Sequence, residues 1–453
     1  MGEARNVRGL RRLSRRLARA CLGALTLAGV LASVGPVADA AAKKPVPPLP
    51  QLEGPITGPG EMQIDFLEVR QPRSAEEFGY RFEEYFVSGT AAGASYKVRM
   101  LLARPARLRR FSGQVLVEPK HPLGVPFVWN FTRLYLMRRG HVAVELSTFP
   151  QNITGTLQGF NPERYADLHA SEAQTSDIFA QVGRLLKSRH SPLPRADTLY
   201  MTGHSRSAGP TWPYMDTHHE RFRLGRGAPI YDGFFPETSR TAARFGPFPN
   251  VDVPTLQLNS QLEVQEVFAQ DSIDYRKPDS DKPRKPFRLW EVAGMPHHDS
   301  RENPLYQREP CDLPLNRFPY KPVVIMALDH LIRWVTEGVR PPHAERISVI
   351  GGPGGEIELD ANGNAVGGVR TTYVDVPFAT HSPLNSGSDA NCEVLGSQQP
   401  FSLDRLISLY GSHDRYVGLV DKRLDRLVRK GWYLPRYARE LRAEAAAFGG
   451  FAP

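Results

Sequence analysis

The stretch LYMTGHSRSAG, Leu199 to Gly209, sets an apolar run against Ser205, with Gly203 two residues before it and the small Ser207 two residues after. A serine hydroxyl attacks a carbonyl carbon at neutral pH only when a base removes its proton. Downstream come Glu263, in VPTLQLNSQLEV, and His297, in FRLWEVAGMPHHDS. Alcohol, carboxylate and imidazole are the parts of nucleophilic acyl transfer: the imidazole takes the serine proton, and the carboxylate holds the imidazole in the required tautomer. Each of the three follows a short apolar run, and the order serine, acid, histidine is that of enzymes built on a G-x-S-x-G turn.

Rivals exist for each role. Ser207 replaces the second glycine of that turn, although Gly209 follows closely and a small residue still lets the backbone approach. His298 adjoins His297, and one of the pair supports the loop. Asp232, in IYDGFF, ends the preceding apolar run and competes with Glu263; its other reading is a turn-capping aspartate before glycine. His204 and Arg206 flank the serine as pocket walls. A tetrahedral oxyanion also needs donors. The Arg206 amide supplies one, and the loop after QVLVEP offers Lys120 or His121 for the second.

These residues need a scaffold. Tyr85 to Ser88 and Tyr96 to Leu102 read as a hairpin around SGTAAGA. Further strand-like runs are QVLVEP (114–119), HVAVELS (141–147), TLYMTG (198–203), APIYDGFF (228–235), TLQLNS (255–260) and FRLWEVAG (287–294). Between them, residues 171–189 and 322–338 carry apolar side chains at helical spacing. Strands alternating with helices predict a mostly parallel central sheet flanked by helices, with its active site at the carboxyl ends of the strands. The texture divides the chain into an export signal over 1–40, a Pro/Gly-rich linker over 41–60, a catalytic α/β domain over 61–350 and a C-terminal extension over 351–453 packed on the same domain.

Export is read from the first forty residues. Seven arginines between Arg5 and Arg19 precede an apolar stretch and the small-x-small triplet Ala38-Asp39-Ala40. That stretch, about 15 weakly apolar residues, is shorter than the roughly 20 a membrane span needs. Ser14-Arg15-Arg16-Leu17 resembles a twin-arginine signal. Against Glu3 and Asp39 the seven arginines leave a net +5, so of the formal +9 about +4 remains on the rest of the chain. No basic, aromatic-rich face for nucleic acid is apparent there. Cys311 and Cys392 could bridge in an oxidising compartment. Asp279 and Asp281 read as turn caps rather than metal ligands. Trp129, Phe131, Trp212 and Tyr214 could line an acyl pocket or simply pack the core.

Several phrases, among them EEYFVSGTA, GHSRSAG, PDSDKPRKPFRLWEVAGMPHHD, GGVRTTYVDVP and CEVLGSQQPF, resemble the bacterial alpha/beta hydrolase domain-containing proteins from about Glu83 to the C-terminus. In that family a serine at the position of Ser207 is usual, while Arg206 and Ala208 are departures. The resemblance implies His297 as the base and Glu263 as the acid, since Gln261 replaces an earlier acid of the family loop. EPKHPLG departs from the family's usual loop after that strand, which bears on the second oxyanion donor. The implied function is a secreted serine hydrolase cleaving a carboxylic ester, small-molecule or polymer-borne, through an acyl-enzyme on Ser205. No metal, organic cofactor, nucleic acid or stable membrane span is expected. Transfer of the acyl group to a sugar or lipid alcohol, or an inert binding protein of the same fold, are the alternatives.

Overall fold

The computed structural model describes residues 44–71, 73–194, 196–301 and 311–452. The export signal expected over 1–40 lies outside them. Nine strands form one sheet: β1 (Gln51–Glu53), β2 (Tyr80–Ala91), β3 (Ala94–Pro105), β4 (Gln114–Pro119), β5 (Val142–Leu146), β6 (Thr198–His204), β7 (Gly233–Glu237), β8 (Thr255–Ser260) and β9 (Phe287–Val292). Their spatial order is β1-β2-β3-β5-β4-β6-β7-β8-β9. The first three and β5 pair antiparallel, and from β5 through β9 every pairing is parallel.

The expected hairpin is longer than its apolar cores. β2 and β3 run in register to Ala91 opposite Ala94, leaving only Ala92 and Gly93 to turn. Both take positive φ, 47° and 79°, as a twist-matched two-residue turn requires. Strands β4 and β8 coincide with their sequence runs. The run at 228–235 does not: β7 begins only at Gly233, which shifts the strand toward Glu237.

Parallel neighbours need crossovers, and helices supply them. Between parallel strands lie α1 (Phe127–Arg139) and α2 (Thr175–Leu186), while α3 (Tyr320–Glu337) follows the last strand, β9. Side-chain alternation sends Val115 and Val117 of β4 to one face with Ile178, Val182 and Leu185 of α2. Leu116 goes to the other face with α1 and α3. Helix α1 has no sequence signature because Phe127, Val128, Trp129, Phe131, Leu136 and Met137 bury nearly its whole circumference, which erases the 3.6-residue stripe. The Glu118 carboxylate caps it, accepting the N–H groups of Val128 and Trp129 at 3.1 and 2.8 Å.

Residues 44–60, read from composition as a linker, run along the sheet. β1 pairs with β2, and the Ile56 N–H reaches the Glu84 carbonyl at 2.8 Å. Prolines suit such an edge because no ladder N–H is needed there. Beyond residue 351 come a hairpin of β10 (Ala379–Ser382) and β11 (Ser397–Pro400) and three helices, α4 (Leu403–Tyr410), α5 (His413–Arg429) and α6 (Pro435–Ala446). Leu406, Tyr416, Leu424 and Leu441 join the cluster that holds Trp290 and Leu328. A disulfide joins Cys311 to Cys392. Among the described residues no helix is long and apolar enough to cross a membrane.

Candidate active site

Ser205 follows directly on β6 and has φ 53°, a left-handed backbone that a non-glycine residue adopts at a cost. The turn is tight enough that a Cβ on Gly203 would lie 2.2 Å from the Ser207 carbonyl oxygen. Glycine is therefore required at that position. Ser207, the departure from the usual pattern, is buried and closes the turn: its hydroxyl accepts the His204 N–H at 3.0 Å and donates to the His204 carbonyl at 2.8 Å.

Glu263 and His297 arrive from β8 and β9. Ser260 caps the turn after β8, and both its N–H and its hydroxyl donate to one Glu263 oxygen at 2.8 Å. The other oxygen receives the His297 Nδ1 proton at 2.5 Å. On the far side of that ring, the Ser205 hydroxyl donates to Nε2 at 2.7 Å. Burial opposes ionisation of Glu263, but the charge and hydrogen bond of His297, with Arg240 and Ser260, hold its carboxyl below the usual range. Tyr320 fixes the histidine loop by donating to the His297 carbonyl at 2.9 Å. This geometry can deprotonate a serine hydroxyl and stabilise the imidazolium that results.

The rivals stand elsewhere. Because β7 starts at Gly233, Asp232 lies at the amino end of its strand, the end away from Ser205. There it accepts the Leu199 N–H at 2.8 Å and the Lys187 ammonium at 2.6 Å. His298 lies behind the site, its Nδ1 2.9 Å from His204 Nε2. Both expected main-chain donors after β4 are engaged: the Lys120 N–H reaches the Leu146 carbonyl at 2.8 Å, and the His121 N–H reaches that of Val125 at 2.9 Å. The turn closes on itself and leaves neither amide for an oxyanion. Arg206 N–H fares differently, since at the second position of the helical turn 205–208 no earlier carbonyl of that turn is available to it.

A second acid escaped the sequence reading. Glu237 ends β7 in register with His204 of β6, binds His204 Nδ1, and lies 2.5 Å from the Tyr320 hydroxyl oxygen. Burial raises its pKa well above the ordinary value and lowers those of His204 and His298 well below theirs. Burial thus disfavours charge on all three groups, while the partners of Glu263 favour its charge. Glu237 had no signal in the sequence, because the apolar run APIYDGFF stops at Phe235 while the strand continues to Glu237. His204, His297 and His298 bring nitrogen atoms within 4.8 Å of one another. The facing nitrogens of His204 and His298 already bond each other, and both of His297 are held by Glu263 and Ser205.

A model of the alpha/beta hydrolase domain matches residues 52–443. The chain belongs to that family. No curated protein matches it. Among solved structures, a hyperthermophilic esterase from the archaeon Pyrobaculum calidifontis aligns at 10% identity over 48% of this chain and 77% of its own, with TM-score 0.30. A zinc-bound cold-adapted esterase from an Arctic intertidal metagenomic library aligns at 12% identity over 46% and 84%, with TM-score 0.27. A thermostable carboxyl esterase from Bacillus coagulans, in complex with glycerol, aligns at 15% identity over 37% and 46%, with TM-score 0.24.

In this alpha/beta hydrolase a cavity of about 590 Å³ opens at Ser205, lined among others by Phe149, Arg206, Arg240, Arg244 and Phe245. Of the four aromatic residues singled out in the sequence, Trp129, Phe131 and Tyr214 belong to the core. Trp212 stacks on Phe245 with centroids 4.8 Å apart, and so backs the cavity wall. Asp279 and Asp281 pair with Arg346 and Arg288.

Proposed function

We propose that the protein is a serine hydrolase that cleaves carboxylic esters through an acyl-enzyme on Ser205. The observation that carries this reading is the unbroken chain of hydrogen bonds from Glu263 through His297 to a serine held at positive φ on the floor of an open cavity. As Ser205 Oγ bonds to the ester carbon, His297 Nε2 takes its proton and the carbonyl pair moves to oxygen. Collapse expels the alcohol, which receives the proton from His297. Water then enters the vacated cavity and repeats the sequence on the acyl-enzyme. Ser205 is half-buried rather than sealed, which favours water over a second alcohol as the acceptor.

The protein is also proposed to work outside the cytoplasm. Its arginine-rich, apolar N-terminal stretch would direct export, and the Cys311–Cys392 bridge suits an oxidising compartment.

The test is labelling by a fluorophosphonate probe with peptide mapping, on wild type, Ser205→Ala and His297→Ala. Label on the Ser205 peptide of wild type, lost in both variants, is the expected result. A folded wild type that takes no label there would overturn the reading.

A further inference from the structure

Attack on an ester leaves a negative oxygen, and the Arg206 amide is one donor for it. The loop after β4 is where the partner donor is needed, yet from Lys120 to Gly124 its main chain has none to give. Lys120 and His121 N–H are engaged with Leu146 and Val125, Gly124 N–H reaches the His121 carbonyl at 2.7 Å, Leu123 N–H reaches His121 Nδ1 at 3.1 Å, and Pro122 has no N–H.

The Leu123 contact decides the state of the His121 ring. A nitrogen that accepts a hydrogen bond carries no proton, so in the neutral imidazole the proton sits on Nε2. That N–H is buried and meets no acceptor. Buried donors are nearly always paired, and an unpaired one costs free energy that something at the site must justify. The ring lies beside the histidines of the site: its centroid is 6.5 Å from that of His204, which is 5.2 Å from that of His297. Phe127 meets it edge-on at 5.0 Å and restrains its plane.

We propose that the His121 imidazole is the second oxyanion donor, giving its Nε2–H to the oxygen that becomes negative when Ser205 attacks. This rests on the serine-hydrolase reading above. The bond is donated and not transferred: the electron pair that moves to oxygen on attack returns on collapse, and the Nε2 proton stays on the ring. Burial, with the charges of His297 and Arg206 adding to it, pushes the His121 pKa down to about 3, so the ring stays neutral and does not compete with His297 for the serine proton. A side chain thus does here what a main-chain amide commonly does.

The test compares hydrolysis of p-nitrophenyl acetate by wild type, S205A, H121A and H121Q, alongside inhibition by a trifluoromethyl ketone, whose adduct carries the same oxyanion. H121A is expected to lose about 10²- to 10³-fold in kcat, with KM changed less than about threefold. H121Q, whose terminal N–H reaches comparably, recovers about tenfold or more of that loss, and the ketone Ki rises in step with the fall in kcat/KM. An H121A rate within about threefold of wild type overturns the proposal and moves the donor to another group, such as the Val125 amide. Equal losses in both variants with unchanged ketone Ki overturn it in favour of a packing role. If S205A hydrolyses as fast as wild type, the serine-hydrolase reading itself falls, which is a separate outcome. Should H121A not fold, ¹⁵N-edited NMR of wild type decides: the Nε2–H proton of His121 moves downfield on adding the ketone, and an unmoved signal overturns the assignment.

Discussion

The Ser207 hydroxyl bridges the two main-chain polar groups of His204, accepting its N–H at 3.0 Å and donating to its carbonyl at 2.8 Å. The residue that looks like a flaw in the G-x-S-x-G pattern is thus a brace for the strained turn. Ser207→Ala removes both bonds in a buried place and is expected to lower the unfolding free energy by about 1–3 kcal/mol. It should also slow ester hydrolysis as Ser205 relaxes from φ 53°. Urea unfolding and steady-state kinetics on the same preparation read the two effects, and an unchanged midpoint would refute the bracing role.

Two acids competed in the sequence, and their positions separate them. Glu263→Gln is expected to lower kcat by about 10³- to 10⁴-fold while the protein stays folded, because the orienting charge behind His297 is lost. Asp232→Asn, at the opposite end of the sheet beside Lys187, should leave kcat/KM within about twofold. A large kinetic loss in Asp232→Asn alone would reverse the assignment.

Buried groups pull stability in opposite directions as pH changes. Burial lowers His381 to a pKa of about 3. Its folded value lies below the unfolded one, so its contribution is present above about pH 6.5 and is lost as pH falls. Burial raises Glu118 to about 8. Its contribution is present below the unfolded carboxylate pKa and is lost as pH rises toward 8. His381→Asn should therefore gain on wild type between pH 7 and 5, and Glu118→Gln should gain between pH 5 and 8. Each gain is bounded by about 1.4 kcal/mol per pH unit. Urea unfolding across that range measures both differences, and parallel profiles for variant and wild type would contradict them.

The Cys311–Cys392 bridge closes a sequence separation of 81 residues. Cys392→Ser is expected to lower the unfolding free energy by about 2–4 kcal/mol. Non-reducing mass spectrometry of the wild type should find one disulfide and no free thiol at these positions. Two free thiols there would remove the bridge.

Much of the fold was legible because its signals are local. Strands β4 and β8 stand where their apolar runs do, and α3 ends at Gly338, which takes φ 70°. Helix α1 was not legible, since a helix buried on nearly every side has no polar face to mark its period. The strand β7 was misplaced by five residues at its start. That slip turned Asp232 into an apparent strand-end acid and hid Glu237, because a sequence shows where apolar residues lie but not where ladder pairing begins.

By itself the sequence determined the order of Ser205, Glu263 and His297, the glycine that the turn needs at 203, and an α/β sheet to carry them. Those follow from residue type and short-range periodicity. Only the tertiary structure decided which acid faces His297, that Ser207 braces the turn, and that the amides of Lys120 and His121 are engaged while His121 Nε2 is not. These facts depend on which atoms far apart in the chain come within hydrogen-bonding distance, and that is settled by strand register and loop closure rather than by any residue's identity.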